Sequence, residues 1–176
     1  GAAWVAQVSR RDAALAQALQ PQSTLLSWHP TAAFVAMLAA IAESGRDAHA
    51  FARELGRIAT AVTFGRFFGA DPMALSPWQV LSAADLFWRR YHTWGNVRVE
   101  RTGSRTAAIQ ISGGPGDPLV CASTSGILEQ VAALAGATEV KVEHRTCESL
   151  GADHCGFDVG WMGPGTVLPG SAGPAR

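Results

Sequence analysis

The chain has 176 residues with 14 basic and 14 acidic side chains, so its formal net charge at pH 7 is zero. A protein that binds nucleic acid or an anionic membrane surface is expected to carry a surplus or a local run of Lys and Arg, and this sequence has neither. Hydrophobic residues make up 48% and charged residues 16%, which excludes a disordered chain and predicts one domain with a sizeable core.

The longest apolar run, Ala32–Ala42, is too short to cross a membrane, so we expect no membrane span. Three cysteines are an odd number and too few for a disulfide framework. They favour a reducing compartment, which predicts a cytoplasmic protein, or thiols committed to something other than pairing.

Proline, glycine and capping residues divide the first 95 residues into helices. The expected helices, in chain order, are Arg11–Gln20, Pro30–Gly45, Asp47–Gly69 and Ser76–Gly95. In the third, Phe51, Leu55, Ile58 and Val62 recur at helical spacing, so we expect this stripe to be the buried face.

After Gly95 the apolar period changes from 3.6 to 2. Alternating residues predict a hairpin over 97–111, a strand over Thr138–Thr146 and a last strand from Phe157 to Trp161, with a helix over Leu119–Ala135. The fold class is therefore α+β, with N-terminal helices packed on a four-stranded antiparallel sheet that has one inserted helix. We expect an N-terminal helical segment over 1–25, one domain over 26–162 and a disordered tail over 163–176.

The strongest chemical signal is a set of three cysteines, Cys121, Cys147 and Cys155. Two of them flank a turn between adjacent strands, and Cys121 starts the preceding helix, whose dipole is expected to lower the pKa of its thiol. Three thiolates and one further ligand form a closed tetrahedral site, the usual form of structural zinc. Reduced core thiols and an oxidised Cys147–Cys155 pair are the alternatives.

The first choice for the fourth ligand is His144, three residues before Cys147. Glu143, His154 and Glu100 are the alternative ligands. Strict strand alternation places His144 and Cys147 on opposite faces, so this choice requires a bulge or a strand end between them.

The run Cys147-Glu148-Ser149-Leu150-Gly151-Ala152-Asp153-His154-Cys155, followed by Gly156-Phe157-Asp158-Val159-Gly160-Trp161, resembles the C-terminal signature of the 4-vinyl reductase domain family. The resemblance includes Cys121, Gly126 and Gly136, and it spans roughly residues 97–161. It implies a fold related to haem-nitric-oxide-binding (H-NOX) domains and a zinc site in which His144 stands where the aromatic-responsive activators have a Glu. The helical segment Trp88–Gly95 is similar to an uncharacterised domain family of myxobacteria, which implies a bacterial protein.

Members of the 4-vinyl reductase domain family are mostly ligand-binding or regulatory modules that dimerise and signal to an effector. The resemblance therefore implies a non-catalytic sensor of an apolar or aromatic small molecule that forms a homodimer and acts on an effector protein or a fused domain. The phenol sensors hold the ligand hydroxyl with a His and a Trp, and no matching pair is identified in this chain.

An apolar ligand needs a cavity between helices and sheet, and aromatic side chains are its natural lining. The candidates are Phe64, Phe67, Phe68, Trp78, Phe87, Trp88, Tyr91 and Trp94. The alternative, which their residue types favour, is ordinary core or a dimer interface.

Two other function classes remain open. One is a protein-interaction or scaffold module without a ligand, and the other is an enzyme acting on a tetrapyrrole, which only the name of the resembled family suggests. The sequence has no nucleophile elbow and no phosphate-binding loop, which argues against catalysis. His92 follows an aromatic helix, yet a lone His there more often interacts with the helix end, so we do not expect haem.

Overall fold

The computed structural model describes residues 10, 16–17, 30–43, 45, 47–68 and 75–163. The predicted helix over 11–20 and the tail over 163–176 therefore lie almost entirely outside the described residues. The side chains of Phe67 and Phe68 lie outside them as well.

The described elements are five α-helices and four β-strands in one α+β arrangement. The helices are α1 (Thr31–Glu43), α2 (Ala48–Phe68), α3 (Pro77–Ser82), α4 (Ala84–Tyr91) and α5 (Pro118–Leu134), and the strands are β1 (Asn96–Gly103), β2 (Thr106–Ser112), β3 (Thr138–Thr146) and β4 (Cys155–Met162). The sheet is antiparallel with the order β1-β2-β4-β3, and α5 is inserted between β2 and β3. The predicted fold class is confirmed.

Capping residues start the helices where the sequence predicts. The Ser76 hydroxyl accepts the N–H of Gln79, and the Gln79 side chain accepts the N–H of Ser76, which completes a capping box before α3. The predicted single helix from Ser76 to Gly95 is nevertheless two helices, because Ala83 leaves helical geometry at φ −89° and ψ 6°.

The buried face of α2 differs from the predicted one. Ala52 and Gly56 face inward on this helix, whereas Ile58 and Val62 are each 53% exposed. The physical reason is that α2 packs on α5 at backbone distance, which large side chains would prevent. Two of the four residues of the stripe predicted to be buried therefore lie on the outer side of α2, and the other two are half-buried.

A carboxylate joins α2 to α5. Glu129 of α5 is 8% exposed and pairs with Arg53 and Arg57 of α2. The Arg57 Nε and Nη2 atoms donate to one Glu129 oxygen at 2.8 and 2.7 Å, and Arg53 donates to the other. Burial opposes the charge on Glu129, but the hydrogen bonds from both guanidinium groups hold the pKa of this carboxyl below its ordinary value.

The register of β3 against β4 shifts between His144 and Thr146. Across this shift β3 has two residues where β4 has one, which is the count of a β-bulge. The bulge breaks the alternation of faces at the point where the fourth-ligand prediction requires it. Among the described residues, no helix is both long enough and apolar enough to span a membrane.

The core lies between the helices and one face of the sheet. Its largest fully buried side chains include Leu38, Leu81, Ile109 and Phe157. The alternating burial along β4 matches the predicted strand, with Phe157, Val159 and Trp161 inward.

Candidate functional site

The three cysteines meet in the core although they come from three different elements. Cys121 lies in the first turns of α5, Cys147 directly follows β3, and Cys155 begins β4. Their sulfur atoms are 3.4 Å (Cys121–Cys155), 3.9 Å (Cys121–Cys147) and 4.0 Å (Cys147–Cys155) apart, and all three residues are buried and unpaired by disulfides. The turn between Cys147 and Cys155 brings the last two together, with Gly151 in the left-handed region at φ 87°.

His144 completes this group. One ring nitrogen of His144 and the three sulfur atoms all lie within 4.8 Å of one another. The ring stacks on Phe157 at a centroid distance of 4.9 Å, which holds the imidazole at the edge of the cluster. Desolvation lowers the pKa of His144, so the imidazole is neutral at pH 7 and has a lone pair to offer a metal.

The spacing of the sulfur atoms is compatible with a bound metal ion and excludes a disulfide. In a regular tetrahedron with Zn–S bonds of about 2.3 Å, neighbouring sulfur atoms are about 3.8 Å apart. The observed separations of 3.4 to 4.0 Å bracket this distance, and they are far longer than a disulfide bond of about 2.05 Å. Three buried thiols with an imidazole at their outer edge are the donor set of structural zinc.

The thiols differ in acidity. Burial raises the pKa of Cys121, and contacts with the other two cysteines raise it further, so the predicted lowering by the helix dipole does not prevail. Burial also acts to raise the pKa of Cys147, but hydrogen bonds from the Ser149 hydroxyl, 3.0 Å from the sulfur, and from the Ser149 backbone N–H lower it.

The alternative ligands lie outside this cluster. Glu143 pairs with Arg145 at 2.5 Å and lies opposite Asp158 in the ladder. Glu100 is exposed on β1, which is separated from β4 by β2. His154 is next to Cys155 but does not belong to the cluster of ligand atoms.

A cavity of about 370 Å³ lies beside the cluster, between the helices and the sheet. Its lining comes from α1 to α5, β1 and β2, and in the described part of the chain it includes no charged side chain. Of the predicted aromatic residues, Phe64, Phe87, Trp88, Tyr91 and Trp94 line it. Trp78 does not line it, and its ring lies under the guanidinium of Arg101 at 5.4 Å.

Most of the polar groups that line the cavity form hydrogen bonds within the chain. The Trp88 indole N–H donates to the Trp94 carbonyl at 2.8 Å, and the Trp94 indole N–H donates to the Thr31 hydroxyl at 2.8 Å. The hydroxyls of Thr60 and Thr124 donate to carbonyls one turn back in their own helices. The indole and hydroxyl donors of these four residues are therefore used within the chain.

His92 is the histidine of this lining. Its ring stacks on Trp88 at 4.0 Å and lies 5.0 Å from the ring of Trp94. Burial lowers the pKa of His92 to about 4, so the imidazole is neutral at pH 7. The described lining thus presents no formal charge at pH 7.

This lining fits haem poorly. Haem carries two propionates, and the described lining has no cationic side chain to pair with them. The one histidine there is packed face to face with Trp88. The residues present suit an uncharged apolar molecule better than a dianionic porphyrin.

Sequence reasoning missed the polar side chains that α2 and α5 contribute to the cavity. Thr60, Ser123 and Thr124 are buried polar residues of the lining. The only sequence signal for Ser123 and Thr124 is the small polar run Ser123-Thr124-Ser125-Gly126 within an otherwise apolar helix. Glu148, whose carboxylate binds a neighbouring loop, was also missed.

Comparison with known proteins adds a family and a fold. A family described as a protein of unknown function (DUF2378) matches residues 6–162. No curated protein matches the chain significantly.

Among solved structures, the chain is similar to H-NOX proteins. An H-NOX protein from S. oneidensis in the Fe(II) ligation state is 14% identical, with a TM-score of 0.67 and coverage of 92% of this chain and 89% of that one. A single-site mutant of the T. tengcongensis H-NOX is 15% identical, with a TM-score of 0.62 and coverage of 93% and 96%. An oxygen-binding H-NOX domain related to soluble guanylate cyclases is 14% identical, with a TM-score of 0.61 and coverage of 92% of both chains.

Identities this low establish a shared fold alone, and the predicted kinship with the H-NOX fold is confirmed at that level. The family match covers most of the sequence, including every described helix and strand. The chain belongs to the DUF2378 family and has the H-NOX fold.

Proposed function

We propose that this domain is a non-catalytic regulatory module that binds an uncharged, apolar small molecule between its helices and its sheet. The observation that carries this proposal is the cavity of about 370 Å³ whose described lining holds aromatic, aliphatic and hydroxyl side chains but no charge. A cavity of this size lies in the range of small-molecule sites. The described residues show no nucleophile next to a base in it, so binding is the function that the lining supports.

A structural zinc ion held by Cys121, Cys147, Cys155 and His144 is the second part of the proposal. The support is the tetrahedral spacing of the sulfur atoms and the neutral imidazole beside them. When bound, zinc supplies positive charge that compensates three buried thiolates, so its binding energy contributes directly to folding. The four residues would then tie the start of α5 to β3 and β4. This ligand set supports kinship with the 4-vinyl reductase domain family. His144 of this chain would then occupy the position that a Glu has in the zinc site of the aromatic-responsive activators.

A homodimer is the third part. Ile58 and Val62 are each 53% exposed on the outer side of α2, and Gly65 on this helix has open space where a side chain would stand. A glycine within a helix costs about 1 kcal/mol relative to alanine, and no contact within the described chain requires it here. A second copy packed against this face would bury both branched side chains and use the space at Gly65. An effector protein or fused domain would then respond to the dimer, as in the regulators that the sequence resembles.

The cavity is tested with a neutral fluorescent probe, N-phenyl-1-naphthylamine, and with native mass spectrometry of the protein purified from its source. Ala59 and Ala61 are both exposed on α2, but only Ala59 lines the cavity. We therefore expect Ala59→Trp to abolish probe binding and Ala61→Trp to leave it unchanged. Equal binding by both variants, with no retained small molecule, would instead support the scaffold module.

The zinc ion is tested by elemental analysis of the purified protein, which should give one zinc per chain. Chelation should lower the melting temperature. A metal-free protein with three titratable thiols and an unchanged melting temperature would refute this part.

A further inference from the structure

The turn that carries Cys147 also binds the loop between β2 and α5. Glu148, the residue after Cys147, directs both carboxylate oxygens at this loop. Its Oε1 accepts the N–H of Gly113 at 2.9 Å, and its Oε2 accepts the N–H of Gly114 at 3.2 Å. A carboxylate that receives two backbone N–H groups fixes both the distance and the orientation of the segment that donates them.

The loop lies in turn directly on Trp94. A Cβ atom at Gly114 would be 2.7 Å from Cζ3 of the Trp94 ring, so the backbone contacts the ring with no space for a side chain. On its other side, a Cβ atom at Gly116 would be 3.1 Å from the Cβ of Glu148 and from the N of Ser149. The loop is therefore held between the cysteine turn and the ring of Trp94.

Trp94 is part of the cavity wall and organises its neighbours. Its carbonyl accepts the indole N–H of Trp88, and its own indole N–H donates to Thr31 of α1. All three residues line the cavity. A displacement of the loop would move Trp94 and with it two hydrogen bonds of the wall.

Little free space separates the cysteines from this wall. A void of about 20 Å³ is bordered by both Cys121 and Cys155 of the cluster and Trp88 and Trp94 of the wall. That volume admits about one water molecule, so the two sites are close-packed against each other. In the ladder, Ile111 of the cavity wall lies directly opposite Cys155.

We propose that the metal centre sets the ligand affinity of the cavity, and that Glu148 is the positioning residue that couples the two sites by holding the 113–114 backbone on Trp94. This inference rests on the proposed function, since it needs both the zinc ion and the cavity. Metal binding fixes Cys147 and hence Glu148 next to it, which keeps the wall in its binding geometry. Because coupling between two sites is reciprocal, a cavity ligand strengthens metal binding by the same factor.

The test measures N-phenyl-1-naphthylamine affinity in the zinc-loaded and the chelator-treated protein. We expect removal of zinc to weaken probe binding about tenfold in the wild type, within the usual range of coupling between two sites. In Glu148→Ala, which should still bind one zinc per chain, the change should be less than about twofold. Glu143→Gln, on exposed β3 and without contact to the loop, should behave like the wild type.

A reciprocal measurement tests the same coupling from the metal side, under conditions in which circular dichroism shows that the metal-free chain stays folded. The zinc-loaded protein is titrated with a competing chelator with and without saturating probe. The probe should raise zinc affinity about tenfold in the wild type and in Glu143→Gln, but not in Glu148→Ala.

The possible results distinguish failure of the proposed function from failure of the coupling between the two sites. Absence of bound zinc, or probe binding that Ala59→Trp does not block, overturns the proposed function and this inference with it. If zinc and probe both bind but neither alters the affinity of the other, or if Glu148→Ala retains the full effect, only the inference is overturned.

Discussion

Gly126 of α5 contacts the backbone of Arg53 in α2 without room for a single methyl group. A Cβ atom at position 126 would lie 1.8 Å from the Arg53 carbonyl oxygen. Gly56 of α2 makes the reciprocal contact, since a Cβ atom there would lie 2.1 Å from the carbonyl oxygen of Ser123. The closest approach of the two central helices therefore depends on a glycine in each.

The first prediction concerns these two glycines. Gly56→Ala or Gly126→Ala should each lower the free energy of unfolding by about 3 kcal/mol or more, because backbone atoms cannot yield to the new methyl group as a flexible side chain can. Gly65→Ala on α2 is the matched control, since its methyl group would meet nothing within 4 Å. In the isolated chain it should raise stability by up to about 1 kcal/mol through helix propensity. Urea denaturation measures all three, and equal effects at the three positions would contradict the packing described.

The second prediction concerns the carboxylate between α2 and α5. Glu129→Gln should lower the free energy of unfolding by about 1.5 kcal/mol, because the neutral amide loses the charge-assisted hydrogen bonds from Arg53 and Arg57, whose side chains are 39% and 42% exposed and therefore partly screened by water. Asp85→Asn removes the exposed pair with Arg89 on α4 and should cost no more than about 0.5 kcal/mol. Chemical denaturation at pH 7 compares the two variants, and similar losses would show that Glu129 is not the stronger interaction.

The third prediction concerns the fourth metal ligand. His144→Ala should lower zinc affinity by at least about tenfold, because it leaves three thiolates and an open coordination position. Glu143→Gln, one residue away and paired with Arg145, should leave the affinity unchanged. Competition with a chromophoric chelator measures both. If Glu143→Gln were the variant that lost zinc, the alternative ligand would replace His144 in the site.

The sequence predicts those features whose causes are local. Proline after a capping residue marks α3, helical spacing of apolar residues marks α5, and period-2 alternation marks the strands. Cysteine spacing also predicts the cluster, because the turn between Cys147 and Cys155 brings them together through the backbone itself.

Features that depend on tertiary packing were not predictable in the same way. The inner face of α2 carries small residues, because Gly56 and Gly126 let the backbones of α2 and α5 touch. The spacing of large apolar residues along α2 therefore does not identify the face that packs on α5. The sequence indicates the register shift after His144 only indirectly, because His144 can be a ligand only if the strand is irregular there. Glu148 gives no sequence signal, since its partners are backbone N–H groups 34 and 35 residues away.

The last prediction concerns the pH dependence of stability that His92 causes. Burial lowers the pKa of His92 in the folded chain from 6.5 to about 4, so between these pH values the unfolded chain binds a proton that the folded chain does not. The stabilising contribution of the neutral imidazole is therefore complete above pH 6.5 and is lost as pH falls through this window. Relative to His92→Gln, the wild type should lose up to about 3 kcal/mol of unfolding free energy between pH 6.5 and 4.

Urea denaturation at several pH values measures this difference, with wild type and variant in the same metal state so that protonation of the cysteine cluster affects both equally. His49→Gln, at an exposed position on α2, is the matched control and should follow the wild-type curve. Parallel curves for the wild type and His92→Gln would mean that the ring beside Trp88 gains a proton as readily in the folded chain as in the unfolded one. That result would also add a positive charge to the cavity in mildly acidic solution and would weaken the case for an uncharged ligand.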